Sequence, residues 1–440
     1  MSPEILSLIG IILGVGVFVV GVFKGYSITF STLGGAVAVA LFSGMDILKA
    51  LGDIYMGKLG GIMKAYILLF LMSALFGKMM GDTGAAQSIA YKMCRIAKRF
   101  PKHEKFIACL SMGLLTSLFI YGGISVFVVI FTLIYIGKDL FEELDIPWFM
   151  FTCIGIGTGT FATGMLPGSP QLTNLLPMSY FGTTASAAPV LGILCSIASL
   201  AFSCWWVWYA IGRCEKKGIG FEPSGTEIKK GWKTVERVKE QPLWKCLLPS
   251  IVMLIALNGF NLDAAVALGI GCLVIMVLFG VTKLDYKNDM KDATVNSCST
   301  ALALASAAGF GAVVSASPGF AFILSGLNSI PGPPAFQIIV AINVAAGFSA
   351  SSSIGLTLTL DALGAHFLTM GIPAPALHRL CSIASLGLDT LPNSSALANT
   401  YTLCKLTYKD AYMNHFMLTV VGPVLVSILC AFLIALGITF

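Results

Sequence analysis

Two polar interruptions in an otherwise apolar chain share one pattern. Leu166-Pro167-Gly168-Ser169-Pro170-Gln171-Leu172-Thr173-Asn174 and Leu391-Pro392-Asn393-Ser394-Ser395-Ala396-Leu397-Ala398-Asn399 coincide at Leu, Pro, Ser, Leu and Asn with a constant offset of 225 residues. Proline cannot donate an N–H to a helix and glycine reaches positive φ, so a helix entering such a run ends there and another starts a few residues on. The first N–H groups of the second piece are then free. Together with the partial positive charge of a helix N-terminus they suit a carboxylate. Pro167, Gly168, Ser169, Gln171 and Asn174 from the first run, and Asn393, Ser394, Ser395 and Asn399 from the second, are therefore the expected contacts of a small organic anion.

Proton coupling needs an ionisable group at depth, and such groups are costly enough in a bilayer to be functional when present. Four qualify: Asp389, Asp82, His378 and Asp361. Asp389 stands closest to a break, and a carboxyl group taken out of water keeps its proton more readily. Asp82 also fits an N-cap for a helix over 85–90, and Asp361 fits the outer interface. His378 and Arg379 open the second broken span as interfacial anchors, while Lys78 can snorkel. The twelve cysteines and four histidines are scattered, without CxxC or HExxH spacing. Neither a metal nor another cofactor is expected, and no convergent nucleophile and base point to an enzyme.

The elements that must position these groups are apolar helices. Of 440 residues 57% are hydrophobic and 11% charged, and the mean hydropathy is +0.88, more apolar surface than a soluble domain can hide. Windows such as Ile5 to Phe23, Ala188 to Ile211 and Phe416 to Leu436 approach or exceed the ~20 residues that cross the hydrocarbon as a helix. They lack the alternation of a membrane barrel. The first window has neither a preceding charge nor a cleavage site, so it reads as a retained span.

Basic residues collect from Lys92 to Lys105 and from Arg213 to Lys245, which places both segments in the cytoplasm. A nucleic-acid role is excluded by their position between spans. The layout that follows has both termini outside, with spans near Ile5 to Phe23, Tyr26 to Leu41 and Met63 to Met80. A surface helix from Ala85 to Arg99, a re-entrant hairpin with arms Phe106 to Ile120 and Val126 to Ile136, a broken span from Trp148 to Phe181 and a last span from Ala188 to Ile211 complete the first half. Lys49, Lys58 and Lys64 oppose the charge rule in this scheme.

Residues 213–245 then read as a linker between repeats over 1–212 and 246–440. Two further matches arrive in the same order: Phe76-Gly77 with Phe310-Gly311, and Tyr121 to Ser125 with Ser349 to Gly355. Gly122, Gly123 and Ser125 at the first hairpin tip, and Ser351 and Ser352 at the second, join the expected substrate contacts. Five crossings and one hairpin per half require the second copy to be inverted. The expected fold is an all-α polytopic membrane protein of two inverted repeats, with broken helices at the midplane.

The residues that carry these patterns resemble the gluconate permease family of bacterial organic-anion symporters. The resemblance rests on Ala74 to Ala90, on Leu166 to Gln171, and on Ala376 to Arg379 through Asp389 to Pro392, and it spans most of the chain. It implies proton-linked uptake of a hydroxy- or sugar-acid anion through the inner membrane. Asn393 stands where that family often has histidine, and the first break reads Pro-Gly-Ser-Pro-Gln, so sodium remains the alternative coupling ion. A sodium-coupled dicarboxylate carrier is the runner-up, and a channel or membrane enzyme the reading from another class. The partners expected are the anion and the lipid bilayer, with homodimerisation left open.

Overall fold

The computed structural model describes residues 3–24, 26–85, 88, 89, 92, 95, 103–123, 126–231, 240–280, 285–320, 332–349, 351–392 and 394–440, and among these the chain has helices and no strand. The first half opens with α1 (Pro3–Phe23), α2 (Ile28–Phe42) and the long α3 (Ile47–Asp82). The hairpin arms α4 (Glu104–Tyr121) and α5 (Val126–Glu143) follow, then α6 over 150–165, α7 (Leu172–Phe181) and α8 (Pro189–Lys216). The second half runs α9 (Leu243–Asn258), α10 (Ala264–Phe279), α11 (Tyr286–Ala316), α12 (Pro334–Ser349), α13 (Ser352–Phe367), α14 (Ala374–Ala384), α15 (Ser395–Cys404) and α16 (Tyr408–Ala435). Six of these are long and apolar enough to cross a membrane. The chain is an all-α, multi-pass membrane protein.

The same succession of eight elements occurs twice, two apolar helices, one long helix, a hairpin, a broken pair and a closing helix. The two long helices, α3 and α11, pack together and run in opposite directions. Gly309 lies against Tyr55, the Ser297 hydroxyl donates to the Phe70 carbonyl at 2.9 Å, and Lys78 pairs with Asp292 at 3.7 Å. Antiparallel contact between matched helices is what an inverted copy requires.

Packing between the halves is exchanged. Phe76 sits six residues before the end of α3, and a Cβ added to Gly271 of α10 would meet its ring at 2.7 Å. Phe310 sits six residues before the end of α11, and a Cβ on Gly35 of α2 would meet its ring at 3.1 Å. Gly35 and Gly271 each lie seven residues into their helix. Each half therefore lends its second helix to the other half's long helix, and glycine permits that close approach.

Three details depart from the sequence reading. The third span begins at Ile47, not Met63, because Asp46 caps it by accepting from the Lys49 N–H at 2.9 Å. Lys49, Lys58 and Lys64 are helical as a result; Lys49 and Lys64 are exposed, while Lys58 is half-buried. The linker is also less free than its polarity implies. α8 continues to Lys216, and Phe221 folds back, 3% exposed, with its N–H donating to Asp145 at 2.8 Å. Most of the surface helix expected over Ala85 to Arg99 lies outside the described residues.

Candidate functional site

The first break follows the sequence pattern closely. α6 ends at Met165, Leu166 is extended, Gly168 has φ +77°, and Gln171 in β geometry is the N-cap of α7. Glycine at 168 meets two demands, since a Cβ there would also approach Asn258 Oδ1 to 2.6 Å. Breaking a helix at this depth exposes backbone groups that lipid cannot satisfy. Side chains from several helices supply the partners. Tyr121 donates to the Pro167 carbonyl at 2.9 Å, Asn258 to the Gly168 carbonyl at 3.1 Å, and Ser169 to the Ala162 carbonyl at 2.6 Å. Thr173 donates to the Thr163 carbonyl at 3.1 Å, and the Gly168 N–H to the Ala185 carbonyl at 2.9 Å.

Asn174 is the hub. Its Nδ2 donates to the carbonyls of Ser169 at 2.8 Å and Ala185 at 2.9 Å, and its Oδ1 accepts from Arg379 at 2.8 Å. Arg379 comes from α14, in the other half, and is fully buried. Nη1 also donates to the Gly164 carbonyl at 3.0 Å, Nη2 to Ala187 at 2.7 Å and Ala185 at 3.5 Å, and Nε to Ala187 at 3.3 Å. All five N–H groups thus meet neutral oxygens. Among the described residues no carboxylate pairs with this guanidinium.

That overturns two expectations. His378 and Arg379 are not interfacial anchors, since both are 0% exposed. Nor do helix dipoles alone supply positive charge at the first break, because a full cation from the second half reaches it. His378 is occupied as well. Its Nδ1 lies 2.6 Å from the Thr183 hydroxyl and its Nε2 3.3 Å from Asn174 Oδ1, so the ring accepts from Thr183 and donates to Asn174.

Each hairpin tip meets the break of its own half. Gln171 Nε2 donates to the Ile120 carbonyl at 2.6 Å, and Tyr121 spans to Pro167. Gly122 and Gly123 pack on α9, where Ser250 donates to the Gly122 carbonyl at 3.2 Å. In the second half the Asp389 carboxyl group lies near the Ser352 side chain, and a Cβ on Gly347 would lie 3.2 Å from Leu388 and 3.3 Å from Leu391. Tyr408 donates to the Pro392 carbonyl at 3.1 Å, and Ser394 is buried. Ser351 is the N-cap residue of α13, its hydroxyl 3.4 Å from Ser353. The broken pairs also touch each other, for Ser382 of α14 donates to the Thr173 carbonyl of α7 at 3.0 Å.

Other expected residues sit elsewhere or fall outside view. Asp82 is the last residue of α3, 3.5 Å from Lys78 and against Asp289 of α11, and does not cap a following helix. Asp361 pairs with Lys58 and lies away from the breaks. Ser125 and Asn393, and the side chains of Ser395 and Asn399, lie outside the described residues. The sequence reading missed Asn258, Tyr121 and Asn343. Asn343 Nδ2 donates to the Ile339 carbonyl at 3.0 Å, while its buried Oδ1 has no partner and lies against Gly387 beside the second break. The signal in each case was a polar side chain within or closing an apolar helix.

Two inverted-looking halves whose broken helices meet are the build of a membrane carrier, and the relatives agree: the chain is a polytopic membrane transporter. It is 27% identical, over 94% of its length and 96% of the relative's, to an uncharacterized transporter, YxjC, of Bacillus subtilis. It is 22% identical over 45% of its length, and 42% of the relative's, to the high-affinity gluconate transporter of Escherichia coli, so the resemblance seen in the sequence is borne out. The fold is similar to that of the YdaH transporter of Alcanivorax borkumensis, with a TM-score of 0.56 at 12% identity over 89% of this chain and 90% of that one. No family model matches the chain.

Proposed function

We propose that this chain is a secondary symporter that takes up a small organic anion, a hydroxy or sugar acid, across the bacterial inner membrane with a proton as coupling ion. The observation that carries the anion is Arg379. A buried guanidinium whose donors end on neutral oxygens leaves its charge uncompensated, and such a charge is costly without a counter-ion. The substrate supplies that counter-ion. At an effective dielectric of about 20, an anion about 8 Å away gains about 2 kcal/mol, enough to concentrate it at the break yet weak enough to release it.

In this reading Ser169, Gln171 and Asn174 build the first wall of the site, and Ser394 with Asn393, Ser395 and Asn399 the second. The proton rides on Asp389, which lies near Ser352 at the hairpin tip. Sodium is the second reading, favoured by the unpartnered Asn343 Oδ1 beside the same break. The two halves are inverted repeats, the 213–245 linker faces the cytoplasm, and both termini face outward.

Uptake by the full chain in liposomes tests this, with gluconate, lactate, glycerate and succinate as probes under an imposed pH gradient and with choline replacing sodium. Accumulation of a hydroxy acid driven by protons in choline is the expected result. Loss of uptake in choline at fixed pH would transfer the role to sodium, and no uptake of any anion under either gradient would overturn the assignment.

A further inference from the structure

Far from the breaks, one buried carboxylate ties together three helices that the rest of the packing would let slide. Asp361 on α13 has a side chain only 2% exposed, and its Oδ1 receives Lys58 Nζ of α3 at 2.5 Å. The Tyr180 hydroxyl, at the end of α7, donates to the same oxygen at 2.7 Å. Lys58 Nζ also lies 5.8 Å over the Tyr180 ring, and the neighbouring Ser179 hydroxyl is 2.9 Å from the Tyr66 hydroxyl. Lys58 and Tyr66 are two turns apart on one face of α3. Between them Ile62 is buried among Leu304, Ala305 and Ile354.

We propose that Lys58, Asp361 and Tyr180 form a latch that holds the half-helix α7 and the hairpin helix α13 against the long helix α3, and that it must open for the site to change sides. The inference rests on the transport reading above. Apolar contact is non-directional, so the seam made by Leu59, Ile62 and Met63 against Leu172, Ile354 and Leu358 does not by itself select one register. An ion pair whose carboxylate is buried, with the half-exposed Lys58 reaching in to it, does select one. All of its attachments use one oxygen, since Asp361 Oδ2 is buried and has no partner. Removing Lys58 therefore strips the carboxylate of its only cation. The titratable groups facing Asp361 among the described residues are Lys58 and Tyr66 from α3 and Tyr180 from α7.

The latch joins the elements that carry both halves of the site. α7 leaves the first break, and α13 is the second arm of the hairpin whose tip, at Ser352, lies near Asp389. The end of α3 opposite Lys58 has its own charge cluster, Lys78 with Asp82 and Asp292, but that cluster joins α3 to α11 and leaves both hairpins out.

Hydrogen exchange on the full chain in lipid nanodiscs reads the latch without a known substrate. Asp361→Asn and Lys58→Gln should each speed amide exchange in 172–181 and 352–367 by about tenfold or more, while 104–121 and 264–279 keep wild-type rates. The double variant should exceed neither single, because the pair acts as one unit. Tyr180→Phe, which keeps the ion pair, should give a smaller acceleration in the same segments, and it carries the test if Asp361→Asn does not reach the membrane. Unchanged rates, acceleration spread over the whole chain, or multiplying effects in the double variant would overturn the latch. Gluconate uptake in matched vesicles separates the two ideas. Local acceleration in the variants with no uptake even by wild type would keep the latch and remove the carrier, whereas wild-type uptake with unaltered exchange in the variants would remove the latch alone.

Discussion

The two breaks arose from one pattern yet are finished differently. At the first, side chains meet most of the backbone groups, the Gly168 N–H goes to the Ala185 carbonyl, and a buried arginine from the other half closes the network. At the second, the backbone is tied by tyrosines, a carboxylate faces a hairpin serine, and one amide oxygen has no partner. Two positions matched in sequence thus carry different chemistry. The first break carries a buried positive charge, and in the function proposed above the second holds the group that exchanges an ion.

The sharpest way to break this contrast is at Arg379. Arg379→Met leaves the carbonyls of Gly164 and Ala187 without donors and takes one donor each from Ala185 and Asn174, and should destabilise the protein by about 3 to 5 kcal/mol in thermal unfolding. Arg379→Lys should recover only part of that, because an ammonium cannot reproduce the fork. If both variants melt like wild type, the first break is not held from the second half.

Asn174→Asp probes charge and packing separately. A carboxylate at 174 pairs with Arg379 and keeps the fold, but it cancels the cation that draws the substrate. Melting should stay within about 1 kcal/mol of wild type, apart from the lost donations to Ser169 and Ala185, while anion binding falls by tenfold or more. Retained binding would dismiss Arg379 as the counter-charge.

On the second break, Asp389→Asn should abolish accumulation driven by a pH gradient and leave substrate exchange measurable, with little change in stability. Full accumulation by this variant would take the proton elsewhere. The smallest expected effect is at Asn343, where Asn343→Leu removes an oxygen that has no partner and one donation to Ile339, so stability should move by less than about 1.5 kcal/mol. A larger loss that appears only when sodium is present would show that this oxygen meets an ion.

Much of the architecture was legible because its signals are local. Apolar length gave α1 and α8, Pro167-Gly168 gave the first break, and Phe76-Gly77 against Phe310-Gly311 pointed to matched positions that prove to be matched contacts. What was hidden depends on partners far away in the chain. Lys49, Lys58 and Lys64 looked like loop residues because charge was read without the carboxylate across the bundle that accompanies Lys58. Arg379 looked like an anchor because nothing in the sequence shows that its donors end on carbonyls of residues 164, 185 and 187. The polar wall was visible, but the charge behind it was not.

The exchanged packing of α2 and α10 also dictates an order of events during synthesis. Gly35 leaves the ribosome 275 residues ahead of Phe310, the ring that will cover it, a wait on the order of tens of seconds at about 5–20 residues per second. Through that interval the first two helices are already inserted, with Gly35 packed on Gly14 of α1, and only the side that Phe310 will cover faces acyl chains or a helper protein. The other pair waits less long, since Phe76 precedes Gly271 by 195 residues. Newborn chains thus carry both contacts open for a time, the one at Gly35 for longer, and a ribosome stalled before α11 would strand the first two helices without their mate.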